Sequence, residues 1–302
     1  MRLEISDITK TFKTKKAVNQ FSLTIEKGEC VGLIGPNGAG KSTLIQIIAD
    51  ILEADHGEIR LDGKPIATMK REIGYLPQYP NFYHWMTAAE TLFFMGELSG
   101  LTRHELKRDI PDILTRVGLA GEEDSKVGTF SGGMKQRLGI AQALLHKPSF
   151  ILMDEPVSAL DPIGRREVLN LIQAIKEETT VLFSTHILND AEEICERFVV
   201  IKNGEKIEDT TKNGLLNRNR DVAIQMMIGT GNNSWWEHVK QLPYVQKVKV
   251  FGNKAQIYVN NIELDKNKLL GEALQHHIDI RNFEVGGSET IEEIFLDLVV
   301  GV

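Results

Sequence analysis

Nine residues, Gly35-Pro36-Asn37-Gly38-Ala39-Gly40-Lys41-Ser42-Thr43, restrict this chain more than any other part of it. They follow the apolar run Cys30–Ile34, which reads as a strand buried on both faces. They open a segment, 42–52, in which Leu44, Ile47, Ile48, Ile51 and Leu52 form one apolar helical stripe. Strand, glycine-rich turn and helix in that order are the setting of the phosphate-binding pattern G-x-x-x-x-G-K-[ST]. Glycines let successive backbone N–H groups turn inward around phosphates, and the helix behind directs its positive end at them. Lys41 is then placed to reach the β- and γ-phosphates of a nucleotide, and Ser42 to ligate Mg²⁺.

The rest of the sequence supplies a frame for that loop. Leu3–Phe12 and Phe21–Ile25 alternate like half-buried strands, and Asp62-Gly63 marks a hairpin. Residues 87–146 read as mostly helical, with breaks near Gly100, Gly118 and Gly128. The apolar runs Phe150–Met153 and Thr180–Phe183 flank a helix with Asp161 as its N-cap and Pro162 in its first turn, burying Val168, Leu171, Ile172 and Ile175. Alternation of this kind predicts an α/β core with a parallel sheet, closed by a hairpin at Asn203-Gly204.

A polar stretch, 210–220, marks a boundary between residues 1–212 and 213–302. Beyond it the pattern predicts strands near 221–229, 245–251, 254–259 and 278–284 and a helix over 264–276. A terminal helix follows, opened by Thr290 and Glu293 at capping-box spacing, with Ile291, Ile294, Phe295 and Leu298 on one face. This is a second, small α+β domain.

Ligands of parallel α/β sheets sit beyond the carboxyl ends of the strands, and three strand ends carry polar residues. Phe150–Met153 ends in Asp154-Glu155, Thr180–Phe183 in Ser184-Thr185-His186, and the run 73–76 in Pro77-Gln78. Asp154 suits a carboxylate that holds Mg²⁺, and Glu155 suits a base that polarises a water. Gln78 can touch both metal and water, and His186 can bond the γ-phosphate. Taken singly, His186 reads as a satisfied turn histidine and Gln78 as a solvated loop residue; their shared position is the argument.

With these residues in place, residues 1–210 resemble the ATP-binding cassette (ABC) ATPase family. The phosphate loop, Gln78 (Q-loop), Phe130-Ser131-Gly132-Gly133-Met134 (signature), Phe150–Glu155 (Walker B), Ser158–Asp161 (D-loop) and His186 (switch histidine) occur in the family's order and spacing. Phe12 matches the aromatic position that stacks on adenine. The resemblance implies a P-loop NTPase core with antiparallel β and helical subdomains. It implies ATP and Mg²⁺ as ligands, with Ser42, Gln78 and Asp154 around the metal. It also implies a head-to-tail dimer, homo- or heteromeric, in which Ser131, Gly132 and Gly133 of one subunit face the ATP of the other. The signature departs from LSGGQ at Phe130 and Met134, the second change removing a polar contact.

No window approaches the roughly 18 unbroken apolar residues of a membrane span, and the N-terminal MRLEISDITKTFK lacks the apolar core of a secretory signal. Cys30 and Cys195 are expected as buried thiols of a reducing cytosol. The resemblance therefore implies a cytoplasmic subunit, peripheral at the membrane through a separate permease. It looks most like the drug- and lipid-exporting branch of the bacitracin-resistance type. Residues 79–86 hold four aromatics and a Met where the family meets its membrane subunits, although a local core would use the same residues. The alternative is a soluble ABC ATPase acting on ribosomes or DNA. The single cassette, the lack of an inserted coiled coil and the net charge of −7 weigh against it, and no nucleic-acid partner is expected.

The second domain resembles the small, ferredoxin-like appendages of some ABC subunits, expected to stabilise the dimer or regulate turnover. In the pair Trp235-Trp236 one ring is expected in the core and the other partly exposed. His276-His277 reads as a solvated helix end, with no carboxylate or thiol at ligand spacing.

Overall fold

Alternation at the start of the chain builds an antiparallel sheet. In the computed structural model, which describes residues 1–212, 214, 223–229 and 234–287, β1 (Arg2–Phe12) pairs with β2 (Lys15–Glu26) and with β4 (His56–Leu61). The short β5 (Lys64–Pro65) closes the sheet, order β2-β1-β4-β5. Asp62 and Gly63 turn between β4 and β5 with φ of 50° and 74°, the left-handed pair of a tight hairpin.

The parallel core follows the expected order. Its six strands run β10-β9-β3-β8-β7-β6, with β3 at Cys30–Ile34, β6 at Ile73–Leu76, β7 at Phe150–Met153, β8 at Thr180–Thr185, β9 at Arg197–Lys202 and β10 at Glu205–Thr211. β3 pairs in parallel with β8 and β9, and β7 with β6 and β8; only β9–β10 is antiparallel, turned at Asn203-Gly204. The helices are α1 (Lys41–Ile48), α2 (Ala88–Leu98), α3 (Arg103–Arg116), α4 (Gly132–Leu144), α5 (Pro162–Ile175) and α6 (Leu188–Ile194). Thr87 and Thr102 start α2 and α3 with capping boxes to Glu90 and Glu105.

One apolar cluster joins the two sheets. It takes Leu3, Phe21 and Ile25 from the antiparallel sheet, Leu44, Ile45 and Ile48 from α1, and Phe150, Leu152 and Leu182 from the parallel sheet. α1 is shorter than its sequence pattern predicts. Asp50 adopts φ 54°, and the N–H groups of Ile51 and Leu52 both donate to Gln46 O, so the helix closes in a tight turn and leaves Ile51 exposed.

The chain forms two compact units, Met1–Lys212 and Asn213–Val302. In the second, β11 (Ala223–Ile228), α7 (Ser234–Lys240), β12 (Val245–Phe251), β13 (Lys254–Val259), α8 (Ile262–Gln275) and β14 (Ile280–Gly287) follow in order β-α-β-β-α-β. The strands lie in the order β12-β13-β11-β14, all antiparallel, which is the ferredoxin-like arrangement. Most of the boundary stretch 210–220 and the terminal helix expected from Thr290 and Glu293 lie outside the described residues.

The expectation for the tryptophan pair is corrected. Trp235 and Trp236 are both buried, in a core with Ile224, Ile257 and Leu269, because α7 lies on the sheet and turns both rings inward. Trp236 Nε1 donates to Gly252 O at 3.3 Å, so its one polar atom is satisfied. Trp236→Ala should therefore cost about 3–5 kcal/mol. Urea unfolding of the full chain followed by far-UV circular dichroism should show one transition moved to lower urea, with Trp236→Phe losing much less.

Candidate functional site

The phosphate loop is held from behind by two hairpins. A Cβ at Gly40, where φ is 108°, would stand 2.2 Å from Ala17 O of β2, and one at Gly35 would stand 2.3 Å from Ile201 O of β9. Glycine is therefore required at both positions for space, and at Gly40 for conformation as well. Gly204 N donates to Ala39 O at 2.8 Å, and Asn19 N donates to Gly204 O at 2.9 Å. Ala39 is buried, and its N–H donates to Pro36 O at 3.2 Å. Leu44 N–H donates to Gly40 O, which starts α1 directly behind the loop.

Lys41 is nearly fully buried, and its ammonium folds back into the loop. Nζ donates to Gly35 O at 2.9 Å and Pro36 O at 3.2 Å, and pairs with Glu155 Oε1 at 3.2 Å. Glu155 is also buried and sits just past β7 in the left-handed region, φ 44°. This conformation costs a non-glycine residue energy, and here three neighbours hold it. Its N–H donates to Ser184 Oγ at 2.9 Å, and its Oε2 lies 3.0 Å from His186 Nδ1 and 3.4 Å from Gln78 Nε2. The carboxylate thus gathers Lys41, His186 and Gln78 from the ends of three different elements.

Asp154 forms the second polar node. Ser42 Oγ and Ser184 Oγ both donate to its Oδ1, at 3.0 and 2.7 Å, while its N–H donates to Leu76 O of the neighbouring strand. Burial pushes the Asp154 carboxyl above the ordinary aspartate range, against the lowering effect of the two hydroxyls. A buried carboxylate beside a serine hydroxyl is a set of hard oxygen donors, which fits a magnesium ion. The nearby Gln78 amide adds a further donor; its nitrogen also reaches Ser158 Oγ at 3.4 Å.

A cleft of about 610 Å³ runs over these groups, lined by Phe12, Asn37, Gly38, Gly40 to Thr43, Gln78, Glu155 and His186. Phe12 is 48% exposed, with Lys10 Nζ 5.8 Å from its ring centroid, so an aromatic face stands free beside the phosphate loop. The signature and D-loop residues play a local part in this chain. Ser131 caps α4 by accepting from Met134 N–H at 3.2 Å, with Phe130 buried behind it, and Asp161 caps α5 by accepting from Gly164 N–H at 2.7 Å. Neither Ser131, Gly133 nor Asp161 lines the cleft; Gly132 lines a smaller, 130 Å³ cavity that shares Gln78 and Glu155 with it.

From sequence, Ser184, Lys15 and Ala17 have no assigned site role, while Tyr79 falls in the aromatic segment and Ser158 in the D-loop; all five also line or brace the site. Ser184 was the most accessible of these, since it follows the apolar run of β8 as Asp154 follows that of β7. Lys15 and Ala17 belong to the hairpin beside Phe12, and nothing local ties that hairpin to the loop.

Residues 18–158 match the ABC transporter family model. The chain is 40% identical over 298 residues to an ABC transporter ATP-binding protein, YxlF, of Bacillus subtilis (strain 168), covering 98% of this chain and 99% of that one. It is 36% identical to the linearmycin resistance ATP-binding protein LnrL of the same organism, covering 98% and 97%. With the Nod factor export ATP-binding protein I of Rhizobium sp. (strain N33) the identity is 32%, over 90% of each chain. Among solved structures it resembles an ATP-binding subunit of an ABC transporter, with TM-score 0.65, 32% identity and coverage of 72% of this chain and 93% of the other. A dimeric post-hydrolysis cassette bound to ADP and phosphate, MJ0796, gives TM-score 0.63 and 28% identity over 69% and 98%.

The double role of Ser184 generates a prediction. Ser184→Ala removes a donor from Asp154 and the acceptor of the Glu155 N–H, freeing a strained residue. Steady-state nucleotide turnover should fall about tenfold to a hundredfold, the usual cost of losing such support. Ser184→Thr, which keeps the hydroxyl, should recover most of it.

Proposed function

This chain belongs to the ABC transporter family as an ATP-binding subunit, and we propose from that premise that it powers export through a separate membrane permease. It is an ATPase, and cassettes of this kind work as dimers. We assign ATP turnover to residues 1–212 and an accessory role, in dimer stability or control of turnover, to residues 213–302.

The Lys41–Glu155 pair carries the reading of the chemistry. Arriving phosphates compete for the Lys41 ammonium, and a charge so little hydrated transfers readily to them. Glu155 is then released as the general base, still oriented by His186 and Gln78. A water attacks the γ-phosphorus as Glu155 takes its proton, and the bridging P–O bond breaks to leave ADP and phosphate. His186 is placed to follow the γ-phosphate, while Phe12 stacks on the adenine. Ser42, Asp154 and Gln78 would hold magnesium, which when bound neutralises phosphate charge. Ser131, Gly132 and Gly133, at the N-terminus of α4, would serve the ATP of a partner subunit.

An exposed aromatic surface supports the permease partner. Phe82 and Met86 turn inward, but Tyr79, Tyr83 and Trp85 are 68%, 55% and 69% exposed. The Tyr83 ring lies 5.7 Å from that of Trp85 and 6.4 Å from that of Phe94. Such a patch begins one residue after Gln78, so contact with a permease can be relayed to the base. The two inward residues satisfy the local core; Tyr83 and Trp85 are left outward for a partner. Among the described residues no helix is long and apolar enough to cross a membrane, so in this reading the chain sits at the inner membrane face through its permease.

Site variants and native co-purification test this. Lys41→Ala should weaken nucleotide binding, read by equilibrium titration. Glu155→Gln should bind ATP yet lower turnover about 10²–10⁴-fold and accumulate as an ATP-bound dimer; wild-type turnover in that variant would remove Glu155 as the base. Gentle purification from native membranes should bring down a stoichiometric polytopic membrane protein. Tyr83→Ala with Trp85→Ala should lose that protein while keeping its own ATP binding.

A further inference from the structure

The second unit holds a cluster that the ATPase does not use. Glu272 and His276 lie one helical turn apart at the end of α8, and His238 projects from the last turn of α7. His238 Nε2 is 3.2 Å and His276 Nε2 3.8 Å from the same atom, Glu272 Oε2. The donor atoms of all three lie within 4.8 Å of one another. The sequence reading of His276-His277 as a plain solvated helix end therefore needs correction. Its carboxylate partner stands four residues earlier, and its second imidazole comes from another helix.

We propose that His238, Glu272 and His276 form a binding site for a divalent transition-metal ion of the zinc class. Two imidazole nitrogens and one carboxylate oxygen are the donor set of open, three-ligand zinc sites. The approach needed is small. Bonds of about 2.0–2.1 Å in tetrahedral geometry put donor atoms about 3.3 Å apart, against 3.2 and 3.8 Å to the carboxylate oxygen and no more than 4.8 Å across the cluster. The rings are also held in advance: Trp235, buried, lies 5.1 Å from His238 and 5.4 Å from His276, whose own rings are 4.5 Å apart. Because both imidazoles address one carboxylate oxygen, a single cation replaces the His238–Glu272 hydrogen bond and draws in His276 at once. The side chains are 38%, 31% and 49% exposed, which leaves a fourth position open to water or another donor. Magnesium and calcium favour all-oxygen sets, so the site discriminates against the metal expected beside Ser42 and Asp154.

The test is isothermal titration of zinc chloride into untagged, chelator-stripped full-length protein, without nucleotide and with magnesium in excess. One equivalent should bind. His238→Gln and His276→Gln should each weaken it about tenfold or more, with far-UV circular dichroism and ATP turnover unchanged. Glu272→Gln, which keeps the shape of the carboxylate and removes its charge, should do the same and guards against a folding artefact. Cobalt(II) should give a visible d–d spectrum that these variants lose. Zinc binding undiminished in the His238→Gln, His276→Gln double variant would place the ion elsewhere and overturn the proposal. Absence of saturable binding would overturn it too, leaving a hydrogen-bonded cluster only.

Discussion

The rest of the candidate site depends on the register between β3, β8 and β7. Ile34 stands opposite Thr185, and Met153 opposite Phe183, so the three strands end nearly level. The chain then leaves each strand with its polar residues on one rim: the phosphate loop after β3, Ser184 to His186 after β8, Asp154 and Glu155 after β7. Ser184 connects the last two by a single hydroxyl that accepts from one residue and donates to its neighbour. A slip of one residue in any pairing would turn that hydroxyl to the opposite face. It would separate Glu155 from His186 in the same movement. The apolar residues of these strands fix the register, and the polar chemistry follows from it.

Much of this architecture is legible in the sequence because its signals are local. The apolar runs of β3 and β7, the glycine pattern, the Asp161-Pro162 helix start and the Asn203-Gly204 turn each declare themselves within a few residues. Where the reading fails, the deciding contact comes from far along the chain. α1 stops early because Asp50 turns left-handed, although Ile51 and Leu52 still fit the stripe. Both tryptophans are buried because α7 lies on a sheet that the pair itself does not announce. The imidazole that meets His276 is 38 positions away, and spacing rules search only nearby residues. The braces behind the phosphate loop are equally silent, since Ala17 and Gly204 look like ordinary hairpin residues.

Buried charge is concentrated where the chemistry is proposed. Lys41, Asp154 and Glu155 are all withdrawn from water, and each is matched to named partners. The arrangement keeps the protein from carrying an unpaired buried charge, which would be strongly destabilising. In the proposed reading, the contacts of Lys41 are those an arriving phosphate replaces, so stability and nucleotide binding use the same atoms.

The phosphate loop is wedged between two hairpins, with Ala17 O behind Gly40 and Gly204 bonded to Ala39. Its ordering entropy is met when the chain folds, before any nucleotide arrives. The heritable consequence is a larger mutational target than the motif suggests. A side chain at Gly204, where φ is 82° and a Cβ would stand 2.8 Å from Ala17 O, would push on the loop from outside. Nucleotide binding can therefore be lost by substitution in the hairpins as well as in the motif they support.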